Sequence, residues 1–116
     1  MKDSSVYLQD IIERIERLEE YLSAVTEAEY LASNMMRDAV ERNLEIIGEA
    51  AGRIPEALRF QAPAIPWKRI VGLRNIVIHQ YRGIDQSVIW DTATRRLPAL
   101  KSDFATLLLL SQQSPD

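Results

Sequence analysis

The apolar positions near the start of the chain fall in steps of three and four: Leu8, Ile11, Ile12, Ile15, Leu18, Leu22 and Val25, with Asp, Glu and Arg between them. That period puts a single apolar stripe on a helix from Ser4 to about Val25. Thr26, followed three residues later by Glu29, has the pattern of a capping box, so a short helix restarts there. The period returns through Met36, Val40, Leu44, Ile47 and Ala51 and predicts a helix over about 32–53. Pro55 ends it, because its ring biases Ile54 away from helical dihedrals.

Two prolines within FQAPAIP at 60–66 mark a connector, and Pro66 suits the first turn of a new helix, where its missing N–H costs nothing. That helix carries Trp67, Ile70, Val71, Leu73 and the run from Ile76 to Ile78, and Gly83 is a natural stop. Asp85 caps a last helix through Val88, Ile89, Ala93, Leu97, Leu100, Phe104, Leu107 and Leu108. Pro98 bends its axis by removing one hydrogen bond and crowding the carbonyl of Thr94. No strand alternation or repeat interrupts the pattern. The expected fold is all-α, an antiparallel bundle of four to five helices, with residues 1–112 forming one domain and 113–116 a tail. The leucines at 107–110 cover every side of one turn. They read as a partner surface or as a deeply buried last turn.

Composition narrows the chemistry. A chain of 116 residues, 47% hydrophobic and 27% charged, supports one core. With no Cys, disulfides, thiolate metal sites and a Cys nucleophile are excluded, and a reducing compartment is expected. One His is too few for a histidine-built metal centre within one chain. The start, MKDSSVYLQD, has no apolar leader, and no apolar run approaches the ~18 residues that span a bilayer, so a cytoplasmic address without membrane contact is expected. The net charge of −3 argues at first against a nucleic-acid partner. Its distribution reverses that argument: residues 1–50 carry five basic and twelve acidic side chains, whereas residues 51–101 carry nine basic and three acidic. A polyanion meets the local field of the basic segment rather than the sum.

Within that segment Arg74-Asn75-Ile76-Val77-Ile78-His79-Gln80-Tyr81 gathers the only His, an Arg, an amide and a phenol. Arg74 is a permanent cation whose fork matches phosphate oxygens. His79, with an ordinary pKa of about 6.5, can accept and return protons near neutrality. Together they suffice for RNA cleavage without a metal: the imidazole takes the 2′-hydroxyl proton, that oxygen attacks phosphorus, and the guanidinium stabilises the developing charge. At 100° per residue, however, Arg74 and His79 diverge by about 140°, whereas Asn75 and His79 are neighbours. Either the helix changes near Ile78 or a second copy completes the site, and a two-fold dimer would bring two His and two Arg to one cleft. Spacing alone leaves other readings open. His79 also reads as a helix-dipole partner or cap, Arg74 as a surface ion-pair residue, and Tyr81 as a packing residue.

The order of DAVERNLEIIGEA at 38–50, IPWKRIVGLRNIVIHQYRGID at 65–85 and VIWDTATRRLPAL at 88–100 resembles the HepT-like family of HEPN-domain proteins, the toxin halves of HEPN/MNT toxin–antitoxin pairs. The resemblance runs from about Ile11 to Phe104. The family signature of Arg, four residues, His, one residue and Tyr is met by Arg74, His79 and Tyr81. It implies an all-helical homodimer of HEPN type and a metal-independent ribonuclease, with Arg74 and His79 as the catalytic pair at the dimer cleft and Asn75 as a supporting polar group. It also implies a cognate antitoxin, a minimal nucleotidyltransferase that transfers AMP from ATP to Tyr81 and associates with the dimer, alone or in a larger hetero-oligomer. ATP is then the antitoxin's substrate and this chain needs no cofactor. Glu49, of the family's Gly-Glu pair, reads as a supporting carboxylate that orients Arg74 or His79, or as a helix-packing ion pair.

Gly48 and Gly72 are expected to permit close helix approach, and Trp67 and Trp90 to anchor the core rather than stack on bases. Lys68, Arg69, Arg82, Arg95 and Arg96 are candidates for guiding RNA, the last two equally for an ordinary charged helix face. Two other classes of function compete with the ribonuclease. One is a non-catalytic helical subunit that docks on a nucleotidyltransferase and helps hold its substrate; the other is a plain dimeric bundle assembled through the leucines at 107–110.

Overall fold

In a computed structural model of the chain, the structure describes residues 3–76 and 85–113. Among these residues every regular element is helical: α1 (Ser4–Leu22), α2 (Glu27–Ala32), α3 (Asn34–Ala51), α4 (Glu56–Arg59), α5 (Trp67–Gly72), α6 (Gln86–Asp91) and α7 (Leu97–Gln113). The expected all-α class is therefore met. No helix among the described residues is long and apolar enough to cross a membrane.

The helix starts are set by short polar side chains. Asp3 caps α1, and Ser33 Oγ accepts from the Met36 N–H at 3.1 Å to open α3. The capping box read from the sequence is present at α2: Thr26 Oγ1 accepts from the Glu29 N–H at 3.1 Å, and Glu29 Oε1 accepts from the Thr26 N–H at 2.9 Å. Asp85 caps α6 by accepting from the Ser87 N–H at 2.9 Å. α1 ends three residues short of Val25, and α3 runs over 34–51 rather than about 32–53.

α1 packs against both α3 and α7. It runs antiparallel to each. Arg14 donates to Asn43 Oδ1 while Tyr7 and Asp10, earlier on α1, flank Ala50 and Arg53; Lys101 reaches Glu19 while Leu108 lies beside Gln9 and Ile12. The core draws Leu8, Ile11, Ile15 and Leu18 from α1, Val40, Leu44 and Ile47 from α3, and Phe104 and Leu107 from α7, all essentially inaccessible. Both tryptophans serve that core. Trp67 meets Phe104 edge-on with centroids 5.8 Å apart, and Trp90 packs on buried Tyr30 at 5.3 Å. The leucine turn divides: Leu107 is buried and Leu108 half-buried, whereas Leu109 and Leu110 face outward.

The chain is irregular just before Pro98. Residues Thr92–Arg96 form a π-helical turn, in which the Leu97 N–H bonds to the Thr92 carbonyl. The wider turn relieves crowding between the proline ring and the preceding carbonyls, and Thr94 Oγ1 donates to the Trp90 carbonyl at 2.7 Å.

One buried polar network joins α2, α3 and α6. The Tyr30 hydroxyl donates to Gln86 Oε1 at 2.7 Å, and Gln86 Nε2 donates to Glu41 Oε2 at 2.9 Å. Burial, together with the nearby Glu41 carboxylate, holds the Tyr30 phenol well above its usual range. A folded-state pKa above the unfolded value of about 10 means that the neutral phenol's contribution is complete below pH 10 and is lost as pH rises through the folded value. Chemical denaturation from pH 8 to about pH 11 should therefore show wild-type stability falling relative to Tyr30→Phe, which lacks that titration.

Candidate functional site

α3 presents two adjoining strips toward the second half of the chain. At 100° per residue, Arg42, Glu45, Glu49 and Arg53 fall within about 80° of one another, and Gly48 and Gly52 lie on the neighbouring strip. The glycine strip receives the turn that carries Arg74. After α5 the chain tightens into a 3₁₀ turn over Leu73–Asn75. A Cβ on Gly48 would stand 2.3 Å from the Arg74 backbone nitrogen and 2.9 Å from the Leu73 carbonyl carbon. Such distances are impossible, so this backbone crossing requires glycine. A Cβ on Gly52 would be 3.3 Å from Arg74 Nη1, which places the guanidinium across that residue. For Gly72 the close-approach expectation finds no counterpart among the described residues: a Cβ there meets none of them within 4 Å.

The helix changes at Arg74 itself, whereas the change expected near Ile78 lies outside the described residues. A 3₁₀ turn advances the chain by about 120° per residue rather than 100°, which re-aims the side chains of 73–75. Arg74 and Asn75 are both exposed. His79, Tyr81, Arg82 and Gly83 lie outside the described residues.

A cleft of about 520 Å³ opens where α1, α3 and the Arg74 turn meet. Tyr7 and Asp10 line it from α1, Arg42, Glu45 and Glu49 from α3, Arg53 from just beyond its C-terminus, and Arg74 from the turn. Two of the site residues expected from the sequence, Arg74 and Glu49, are therefore in one cavity. Glu49 pairs there with Arg53, Oε1 to Nη2 at 3.6 Å, with both side chains 61% exposed. Arg42 pairs with Glu45 at 3.2 Å. Among the described residues Arg74 has no carboxylate partner, and its side chain is exposed.

Several other cations are engaged elsewhere. Arg95 and Arg96 each place Nε 2.8 Å from an Asp91 carboxylate oxygen, and their hydrogen bonds hold that carboxyl below its usual range. Lys101 is held by Glu19 at 2.6 Å. Arg59 donates to the carbonyls of Ile54 and Ala51 at 2.9 and 3.1 Å and lies 5.6 Å from the Trp67 ring centroid. Lys68 and Arg69 are exposed on α5.

The chain matches the family model described as ribonuclease HepT-like over residues 11–107. The chain belongs to the HepT-like family. This membership makes it an enzyme of the ribonuclease class, in keeping with the resemblance read from its motifs. A Thermococcus cleftensis protein named "Probable ribonuclease HepT" is 40% identical over 101 residues, covering 87% of this chain and 92% of the relative. A Methanocaldococcus jannaschii protein named "Putative RNase" is 39% identical over 102 residues, covering 88% and 94%. A longer protein of the same archaeon, named "Gamma-glutamylcyclotransferase and putative RNase", is 37% identical over 107 residues; the HepT-like chain spans 48% of its length. No solved structure matches the chain.

Sequence reasoning missed Tyr7, Asp10, Arg42, Glu45 and Arg53 as members of this cavity, and Gly52 as the residue beneath the Arg74 guanidinium. Gly52 was accessible in principle, since a small residue four positions after Gly48 shares its helix face. Tyr7 and Asp10 come from a helix more than 60 residues before Arg74, and no local pattern reports that meeting.

The glycines separate in a mutational test. Gly48→Ala should destabilise the protein by about 1–3 kcal/mol in urea unfolding, because the methyl must displace backbone rather than a side-chain tip. Gly72→Ala, placed in open space at a helical φ of −61°, should stabilise it by about 0.5–1 kcal/mol.

Proposed function

We propose that this HepT-like ribonuclease is the toxin of a HEPN/MNT toxin–antitoxin pair and that it cleaves RNA without a metal ion at a cleft shared by two copies of the chain, in a homodimer of HEPN type. The observation that carries the reading is the seat of Arg74: a guanidinium without a carboxylate partner among the described residues, fixed by a glycine strip at the mouth of a cleft.

In the proposed reaction, the His79 imidazole takes the 2′-hydroxyl proton of RNA and the freed oxygen attacks the adjacent phosphorus. Arg74 donates to the phosphoryl oxygens as negative charge builds on them. The bond from phosphorus to the 5′ oxygen breaks, and that oxygen takes a proton from an imidazolium. The products are a 2′,3′-cyclic phosphate and a 5′-hydroxyl. A two-fold arrangement supplies two imidazoles, one for each proton transfer, from chains that have one His each. Asn75, next to Arg74 on the exposed turn, supplies a neutral donor and acceptor, and Glu49 shapes the cleft through its pair with Arg53.

Neutralisation follows from the chemistry of Tyr81. A nucleotidyltransferase antitoxin brings ATP; the phenol oxygen attacks the α-phosphorus, pyrophosphate leaves, and AMP remains on the tyrosine. An anionic nucleotide two residues from His79 then occupies space and repels RNA phosphates. The chain works in the cytoplasm in this scheme, with RNA and the antitoxin as its partners.

Purified protein in excess EDTA should cleave RNA to products with cyclic phosphate ends, and His79→Ala or Arg74→Ala should lower the rate at least about 100-fold. Equal cleavage by folded His79→Ala protein would overturn the assignment. After coexpression with a cognate MNT-type nucleotidyltransferase, intact mass should rise by whole AMP increments that peptide mapping places on Tyr81. A Tyr81→Phe chain that still gains them would refute that site.

A further inference from the structure

We propose that Arg53 forms, beside Arg74, a second phosphate-binding position of the cleft, which holds a backbone phosphate of single-stranded RNA next to the one being cleaved. The proposal rests on the ribonuclease reading of the same cleft and extends it to how the substrate is held.

Three observations carry it. The first is position. Arg74 Nη1 lies over Gly52, the residue that precedes Arg53, and both arginines line the one cavity. Two guanidiniums from separate segments thus converge at the C-terminal end of α3, where a helix dipole favours cations. The second is availability. Arg53 is 61% exposed, and its pair with Glu49 is long, at 3.6 Å. Exposed pairs of this kind contribute little, so a phosphate can displace the carboxylate at small cost. Arg42 is held more closely by Glu45, and Arg59 is committed to carbonyl oxygens.

The third is what Arg59 does there. Its donors cover the carbonyls of Ala51 and Ile54, whose negative ends would otherwise repel an anion at this helix terminus. The end of α3 is thereby changed from a place that rejects phosphate into one that accepts it. Glu49 acts as a latch, keeping Arg53 extended along the helix until RNA arrives.

Steady-state cleavage of a single-stranded oligoribonucleotide by Arg53→Gln tests this. KM should rise roughly tenfold, the loss falling on KM rather than on kcat, and Arg53→Lys should recover most of it. The slope of log affinity against log salt, read by fluorescence anisotropy of the same oligomer on His79→Ala protein to prevent cleavage, should become shallower by about 0.7 in Arg53→Gln. Glu49→Gln, which removes the competing carboxylate, should tighten binding in that assay. A folded Arg53→Gln enzyme with wild-type KM and salt slope would overturn the second position and leave the ribonuclease reading standing. If wild-type protein cleaves no RNA, that reading falls separately. The arginine pair is then judged by anisotropy alone: weakened binding in Arg53→Gln upholds it, and equal binding refutes it.

Discussion

The crossing of the Arg74 turn over Gly48 is the contact on which the rest of the site depends. It brings backbone against backbone, with no side chain between, so the position of Arg74 is referred directly to the axis of α3. α3 is itself a rigid reference. Its inner face is buried against α1, and buried Asn43 ties the two helices, accepting from Arg14 at 3.3 Å while donating to the Ala39 carbonyl at 2.8 Å. The backbone from which the guanidinium projects is thus set before an anion arrives, which shortens the range over which the donor must search.

The same helix anchors the chain on both sides of the motif. Gly48 receives Arg74 before it, and Glu41 accepts from Gln86 after it. Positions 41 and 48 are seven residues apart, hence on one face of α3 and separated by about 10 Å. The network through Gln86 and Tyr30 is buried and paired, so moving it would leave polar groups without partners in the core. A packed helix therefore gauges the span of the motif segment, and the apolar core beneath fixes that helix.

Charge follows a comparable logic. The acidic first half and basic middle of the chain do not meet as two surfaces. They interleave, as Lys101 on α7 reaches back to Glu19 on α1 and Arg42 and Arg53 lie along their own glutamates. Several cations are thus locally paired, and the net charge of −3 says little about any one patch. What distinguishes the cleft is that Arg74, without such a partner among the described residues, shares it with Arg53 and Arg42. An anion is attracted by a few uncommitted donors more than by the bookkeeping of totals.

Much of the fold was legible in the sequence because its signals are local. The stripe of Leu8, Ile11, Ile15 and Leu18, the Thr26–Glu29 capping box, the Asp85 cap and the disturbance at Pro98 each depend on residues within a turn or two, and each has a counterpart in the structure. That Arg74 brings a permanent cation was legible too, since a guanidinium has the same charge in any fold. Gly72 was read like Gly48 because a glycine's need is defined by what approaches it, and nothing in the local sequence separates the two, although of the two only Gly48 is closely approached among the described residues. The meeting of Tyr7, Asp10, Arg53 and Arg74 was beyond reach for the same reason. By itself, then, the sequence determined the helices, their buried faces and the reactive groups on offer, all consequences of short-range periodicity and side-chain chemistry. Only the tertiary structure decided which glycine is indispensable, which arginines are committed and which stand open. Those properties arise from distances between segments far apart in the chain, and the packing of α1, α3 and the Arg74 turn sets those distances.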